Sequence, residues 1–357
     1  MMNRRQMQRA SLALAGRGQV VRTRGTSDAP LWWFRSRAQA DQGSEDWADL
    51  MARRDWARGE RLIVAVLNPA IGQLIEAGAL RYGMQTLVPD AADLLEAMAE
   101  VPARYVVTSP LAAFRMLLQG MLDGVEELWL TGDVTGQGAL EQRIREFAPD
   151  TIVRNVYAVT EHPGPVAVSC AAGRWHFLED QLDVELVHPR TGARAEPGQP
   201  ASVRLTRHWD DALSLDRYDV LDLVTALEHP CPCGDGGSMT STTPWGRLTD
   251  LRAIQGGWIS PSHLAQAWFR TEGLSDRLKA SLVWDDAAEC EMLQVRCAVL
   301  HGYDPDRTVA RLKELLQRTT RVAVAVEAVK PANLWPDVSC HIEEGRDNPP
   351  DARDMLD

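Results

Sequence analysis

The chain reads as an α/β protein in two parts: a large N-terminal domain over residues 1–250, combining a parallel sheet with a β-rich section, and a small α+β domain over 251–344. Three observations predict this. Up to residue 157, short apolar runs alternate with helical stretches of about ten residues, the mark of a parallel α/β sheet. After residue 160, strand-like runs follow one another with only Gly, Pro and Asp turns between them, a more antiparallel texture. From about residue 251 a third pattern begins, and 357 residues exceed what one ordinary core holds.

Residues 61–67 (RLIVAVL) form the first β-rich run, and Ile71, Leu74, Ile75 and Leu80 mark a helix behind it. A second run at 85–88 ends in Pro89-Asp90 and precedes an apolar helix over 91–99. Then come a strand at 105–108, a helix near 111–121, a strand at 127–131, a helix over 138–147 and a strand at 152–157. The β-rich section holds strands at 165–170, 175–178, 182–187, 202–206 and 222–227. The last part gives a helix at 262–271, strands near 280–284 and 291–299, a helix at 305–317 and a strand at 322–329. Residues 345–357, rich in Asp, Pro and Arg, are expected to be a disordered tail.

A hydrophobic content of 45% with 25% charged residues is that of a globular protein. The net charge of -12 argues against nucleic acid as partner, since phosphate neutralisation needs a basic face. No window approaches the roughly 18 consecutive apolar residues of a membrane span. Arg4, Arg5 and Arg9 ahead of Ala10–Ala15 imitate a short signal peptide, but Ser11 breaks the run and Arg17, Arg22 and Arg24 follow. The expected location is cytoplasmic. The only lysines are Lys279, Lys313 and Lys330.

In that compartment, six cysteines suggest metal or free thiols rather than disulfides. Cys231-Pro232-Cys233-Gly234 is a tight two-thiol turn, and Cys170 and His176 form a Cys-x5-His pair in the β-rich section before it. Three thiolates and one imidazole complete a tetrahedral structural Zn2+ set with no open position. His229 is an alternative to His176, and four unmetallated residues are the plain alternative. Cys290, Cys297 and Cys340 read as ordinary residues.

Three further segments occur in order: Tyr157-Ala158-Val159-Thr160-Glu161, then Arg217-Tyr218-Asp219-Val220-Leu221-Asp222, then Gly246-Arg247-Leu248-Thr249-Asp250 followed by Ile254-Gln255-Gly256-Gly257 and Ser260-Pro261. Upstream lies Thr23-Arg24-Gly25-Thr26-Ser27-Asp28-Ala29-Pro30. Together these resemble the adenylate-forming superfamily, especially its phenylacetate-CoA ligase branch. The first three are similar to Tyr-Gly-x-Thr-Glu, Arg-Tyr-Arg-Thr-Gly-Asp and the hinge segment Gly-Arg-x-x-Asp…Gly-x-x-x-x-Pro. The upstream segment looks like a worn Ser-Gly-Thr-Thr-Gly-x-Pro phosphate loop. Several relatives in that branch carry a similar Cys…His…Cys-x-Cys arrangement. The chain begins close to the loop, so the first helical portion of the family's large domain is expected to be missing, leaving apolar surface exposed or covered by a partner subunit.

The resemblance implies that ATP and a small carboxylic acid form an acyl adenylate, with Mg2+ on the phosphates, and that the acyl group then passes to CoA. Gly25, Thr26 and Ser27 would cradle phosphate through backbone N–H groups and hydroxyls. Arg24 replaces a hydroxyl residue, and Asp28 replaces a glycine with a carboxylate that repels the triphosphate; an inert surface turn is the alternative for this segment. Thr160 would bond the adenylate phosphate, Glu161 would hold magnesium, and Tyr157 would stack near adenine. Asp222 would accept the ribose hydroxyls, Arg247 would contact ribose or phosphate, and Asp250 would be the hinge of a mobile C-terminal domain. The plain alternative for 157–161 is a strand end entering a loop. Asp133 sits where the family often has an acidic residue that orients substrate. Trp32, Trp33 and the 109–114 region read as core packing rather than an acyl pocket.

The family's C-terminal Gly-Lys segment is the sharpest departure. Aligned with Cys340 to Arg346, it puts Val338 or Cys340 where the lysine belongs. Loss of such a donor costs on the order of 3 kcal/mol in the adenylation barrier. Two functions follow: an AMP-forming carboxylate–CoA ligase of reduced activity, or a degenerate homologue that binds nucleotide or acyl-CoA or serves as the partner subunit of an active ligase; a homodimer is the other assembly expected.

Overall fold

A computed structural model of the chain describes residues 4–14, 18–22, 32–210, 212–228, 230–234, 239–255, 257–334, 341–346, 349, 351 and 355–356. Helix α1 (Arg4–Leu12) precedes an antiparallel pair, β1 (Gly18–Arg22) and β2 (Trp32–Ser36), with Arg22 opposite Trp32. Helix α2 (Arg37–Arg53) starts from a capping box in which the Ser36 hydroxyl accepts from Gln39 N and the Gln39 side chain accepts from Ser36 N. The sequence patterning missed α2. Its buried face mixes Gln39, Gly43, Ser44 and Asp46 with Trp47, Leu50 and Met51, so no apolar period shows.

The alternating stretch folds as its pattern requires. In order come β3 (Arg61–Ala65), α3 (Pro69–Tyr82), β4 (Gln85–Leu87), α4 (Leu94–Glu100), β5 (Tyr105–Thr108), α5 (Pro110–Leu118), β6 (Glu127–Leu130), α6 (Ala139–Phe147) and β7 (Ile152–Ala158). The strands lie parallel in the order β4-β3-β5-β6-β7. Side chains alternate across the sheet. Leu62, Val64, Tyr105, Val107 and Trp129 pack under α2 and α3, whereas Ile63, Ala65, Val106, Leu128 and Leu130 face α4, α5 and α6. Helices α2 and α3 approach closely because Gly78 has no side chain; a Cβ there would lie 2.5 Å from Trp47 Cβ.

The β-rich section adds β8 (Pro165–Ser169), β9 (Trp175–Phe177), β10 (Asp183–Val187), β11 (Pro200–Arg207), β12 (Leu215–Thr225), β13 (Thr240–Ser241) and β14 (Gly246–Arg247). Strands β8, β9 and β13 continue the first sheet antiparallel from β7, to eight strands, and β10-β11-β12-β14 form a second sheet. Strand β12 begins at Leu215, earlier than the patterning indicates, so the Arg217–Asp222 motif lies within it.

The C-terminal section begins with a hairpin, β15 (Arg252–Ile254) and β16 (Gly257–Ile259), then α7 (Pro261–Arg270), β17 (Leu274–Asp285), β18 (Cys290–Val299), α8 (Pro305–Thr320), β19 (Ala323–Ala328) and β20 (Ile342–Glu344). Its sheet runs β19-β18-β17-β20. One apolar cluster joins this section to the large sheet, with Phe114 ring centroids 5.2 Å from Phe269 and 6.3 Å from Trp268. Gly136 lets α7 seat on the loop before α6: a Cβ there would stand 2.5 Å from Gln266 N. Phe114 and Trp33 are both core residues. Within 345–357, the segment expected to be disordered, Arg346 pairs with Glu291 and Glu344, and Leu356 is buried against Leu223, Leu248 and Leu251. Among the described residues no helix is long and apolar enough to cross a membrane.

Candidate functional site

A cleft of about 160 Å³ opens at the carboxyl ends of β3, β6 and β7. In α/β sheets that end gathers the loops that bind ligands. Its wall brings together Tyr157, Thr160, Asp222, Arg247 and Asp250, five of the residues singled out in the sequence, along with Asp133. Gly25, Thr26 and Ser27 lie outside the described residues, in the segment between β1 and β2.

Asp222 is aimed by a bulge. The β11–β12 register shifts between Ser202 and Arg204, and Leu221, inside the extra stretch of β12, takes the left-handed region at φ 69°. The Tyr157 hydroxyl donates to Asp222 Oδ2 at 2.6 Å, and Arg247 Nε lies 3.5 Å from Asp222 Oδ1. Asp222 and Arg247 are neighbours because they pair directly across β12 and β14. Burial, reinforced by the adjacent carboxylate, pushes the Tyr157 phenol well above its ordinary value, so it remains a donor. Its ring stacks on Trp175, with centroids 4.5 Å apart and planes 15° from parallel. Trp175 donates its indole N–H to Asn155 Oδ1 at 3.0 Å.

Thr160 is held from two sides. Asn68, the N-cap of α3, donates to its hydroxyl at 2.9 Å, and Arg35 donates to its carbonyl at 3.2 Å. Arg35 is 1% exposed, and burial lowers its pKa to about 10, a fall that the neighbouring Glu161 carboxylate partly offsets. Glu161 is itself buried and accepts the Tyr218 hydroxyl at 2.7 Å. It stands behind Thr160 and is absent from the described cleft wall. Asp250 Oδ1 is buried without a hydrogen-bond partner, an uncommon state for a carboxylate oxygen.

Asn68, Asn155, Trp175 and His341 also line the cleft, and none of them was read from the sequence as a site residue. Asn68-Pro69 before an apolar helix is an N-cap signal that could have drawn attention to the first. Val338 and Cys340, the positions set against the family's lysine, lie outside the described residues, whereas His341 immediately follows them.

A second constellation lies behind the Trp175 wall. One ligand atom from each of Cys170, His176, Cys231 and Cys233 falls within 4.8 Å of the others. Cys170 Sγ and Cys231 Sγ are 3.8 Å apart, and Cys233 Sγ is 3.4 Å from His176 Nε2. The pairing of Thr240 with His176 fixes the histidine on β9, and a turn after β12 delivers both cysteines of the Cys-x-Cys pair. Burial raises the Cys231 thiol to about 11. His229 lies outside the described residues.

Neither a protein-family model nor a curated protein sequence matches the chain. Solved structures do. A 2-hydroxyisobutyryl-CoA ligase in its postadenylation state with 2-HIB-AMP superposes with TM-score 0.80 at 16% identity, covering 98% of this chain and 80% of that one. The same ligase with 2-HIB-AMP and CoA in the thioesterification state gives TM-score 0.56 at 18% identity, over 92% of this chain and 74% of that one. The anthranilate-CoA ligase AuaEII with anthranoyl-AMP gives 0.67 at 11% identity, over 90% and 64%. At such identities the likeness is one of architecture, and the architecture is that of the adenylate-forming acyl-CoA ligases.

Proposed function

We propose that the protein joins a carboxylic acid to ATP as an acyl adenylate, releasing pyrophosphate, and passes the acyl group to CoA. The observation that carries this is the convergence of Tyr157, Thr160, Asp222, Arg247 and Asp250, from separate segments, on one cleft at the carboxyl ends of parallel strands. Tyr157 and Trp175 offer a flat apolar wall for adenine. Asp222 and Asp250 suit ribose hydroxyls, which would supply the donor that the buried Asp250 Oδ1 lacks. The Thr160 hydroxyl, its lone pair taken by Asn68, can give its proton to a phosphate oxygen. Magnesium would arrive with the triphosphate. Glu161, tied to Tyr218, fits a role in holding Thr160 from behind better than one as direct ligand.

In this reading residues 251–344 form the domain that turns about Asp250 between the two half-reactions. The phenylacetate-CoA ligase branch is the closest fit by motif. The cysteine–histidine cluster is a structural zinc site: Zn–S bonds of about 2.3 Å in a tetrahedron place sulfurs ~3.8 Å apart, and the Cys170–Cys231 separation is 3.8 Å. The absence of a disulfide among the described cysteines suits a reducing cytoplasm.

The second reading, a degenerate nucleotide- or acyl-CoA-binding subunit, draws on one observation: no lysine lines the described cleft, and Lys279 is paired with Glu343 on the surface. Pyrophosphate release with ATP, CoA and a panel of aryl and short acids separates the two. Turnover is the expected result. No turnover with ATP still raising Tm favours the binding subunit, and neither turnover nor a shift overturns both.

A further inference from the structure

The charges around the cleft do not balance for an anionic ligand. Among the described lining residues the acidic side chains are Asp133, Asp222 and Asp250 and the basic ones Arg247 and His341, with Tyr157 a phenol. Three carboxylates repel a phosphate, and Arg247 is already engaged by Asp222 at 3.5 Å. Arg35 is buried outside the cleft wall and donates to the Ala70 and Thr160 carbonyls. Among the described lining residues the basic side chains are therefore Arg247, whose charge Asp222 shares, and His341.

His341 is placed by the C-terminal sheet rather than by the walls that carry the motifs. Ile342, the next residue, is 1% exposed and pairs with Ala280 on β17, and Gly345 N donates to Leu282 O at 2.9 Å. The backbone on one side of the imidazole is therefore fixed, and His341 lines the cleft that holds Thr160. Among the described residues no hydrogen bond or ion pair engages the ring.

We propose that His341 is the phosphate-contacting donor of this cleft, donating a ring N–H to the nucleotide α-phosphate and taking the place of the absent lysine. The proposal rests on the nucleotide reading above. It also makes the phosphate site depend on the C-terminal sheet being docked, because no other residue of that sheet lines the described cleft.

Calorimetric titration of AMP and of adenosine into wild type, His341→Gln and His341→Lys tests it. His341 is exposed, so both variants are expected to fold, and thermal unfolding checks that. The Gln variant weakens AMP by about tenfold or more, the loss of one charge-assisted hydrogen bond, and leaves adenosine unchanged. The Lys variant keeps AMP at least as tight as wild type. A Gln variant that binds AMP like wild type, or that loses AMP and adenosine equally, overturns the assignment. Wild type that binds neither overturns the nucleotide reading itself, a distinct result.

Discussion

Leu221 sits at φ 69°, where the resembling motif carries glycine, and holds the bulge that turns Asp222 into the cleft. A non-glycine residue there costs roughly 1–2 kcal/mol, and a β-branched one more. Leu221→Val should lose about another 1 kcal/mol in urea unfolding, whereas Leu221→Gly, relieved of strain but freer when unfolded, stays within about 1 kcal/mol of the parent. A Val variant as stable as the parent contradicts the bulge account. Glu141, near the start of α6, is buried, and burial raises its pKa to about 7. The native state then keeps a proton that the unfolded chain releases above the ordinary value of 4.5, so stability falls as pH rises from about 4.5 to 7. Glu141→Gln should raise stability by about 1–3 kcal/mol at pH 8 and change little at pH 4.5; equal Tm gains at both pH values would count against this. At this scale Tyr157, Thr160, Asp222, Arg247 and Asp250 were legible because they sit in spaced motifs. Asn68, Asn155, Arg35 and His341 are single polar residues whose partners are distant in sequence, and nothing local marks them.

Strand β9 joins the two constellations at the scale of an element. Its Trp175 stacks on Tyr157 in the cleft, and His176, the next residue, turns to the opposite face and joins the cysteines. A zinc ion there would fix the strand and with it the cleft wall. Purified protein is predicted to carry about one zinc per chain, and Cys231→Ser to lose at least ~2 kcal/mol of stability while weakening nucleotide binding. Metal analysis and calorimetry check this, and well under one zinc per chain would sink it. Strands and helices from residue 61 to 158 were readable because each buries a regular apolar face. Helix α2 was hidden by a polar and small-residue interface, and β20 by its place in an Asp- and Glu-rich tail, since Ile342 is the one buried residue of that strand.

At the scale of the whole molecule, the C-terminal section is seated rather than loosely tethered. Gly136 meets the α7 backbone, Arg115 pairs with Asp276 at 2.6 Å, and Phe114 packs on Phe269 and Trp268. Gly136→Ala adds a Cβ at a positive φ of 67° against backbone that cannot yield, and should cost about 2 kcal/mol or more. It should also weaken AMP binding, since the docked section brings His341. Stability lost with AMP affinity intact would separate the seam from the cleft. The two-part α/β architecture was legible in the order of its elements, but the shared apolar cluster across the two parts was not, because partners such as Phe114 and Trp268 are far apart in the sequence.

The central claim is that an adenine nucleotide lies in the cleft at the ends of β3, β6 and β7. Photolabelling with 8-azido-ATP, followed by peptide mapping, tests it most directly. The account predicts saturable labelling on segments 66–68, 131–134, 155–160 or 244–250, suppressed by excess AMP. Labelling that maps elsewhere, or that AMP does not suppress, contradicts it.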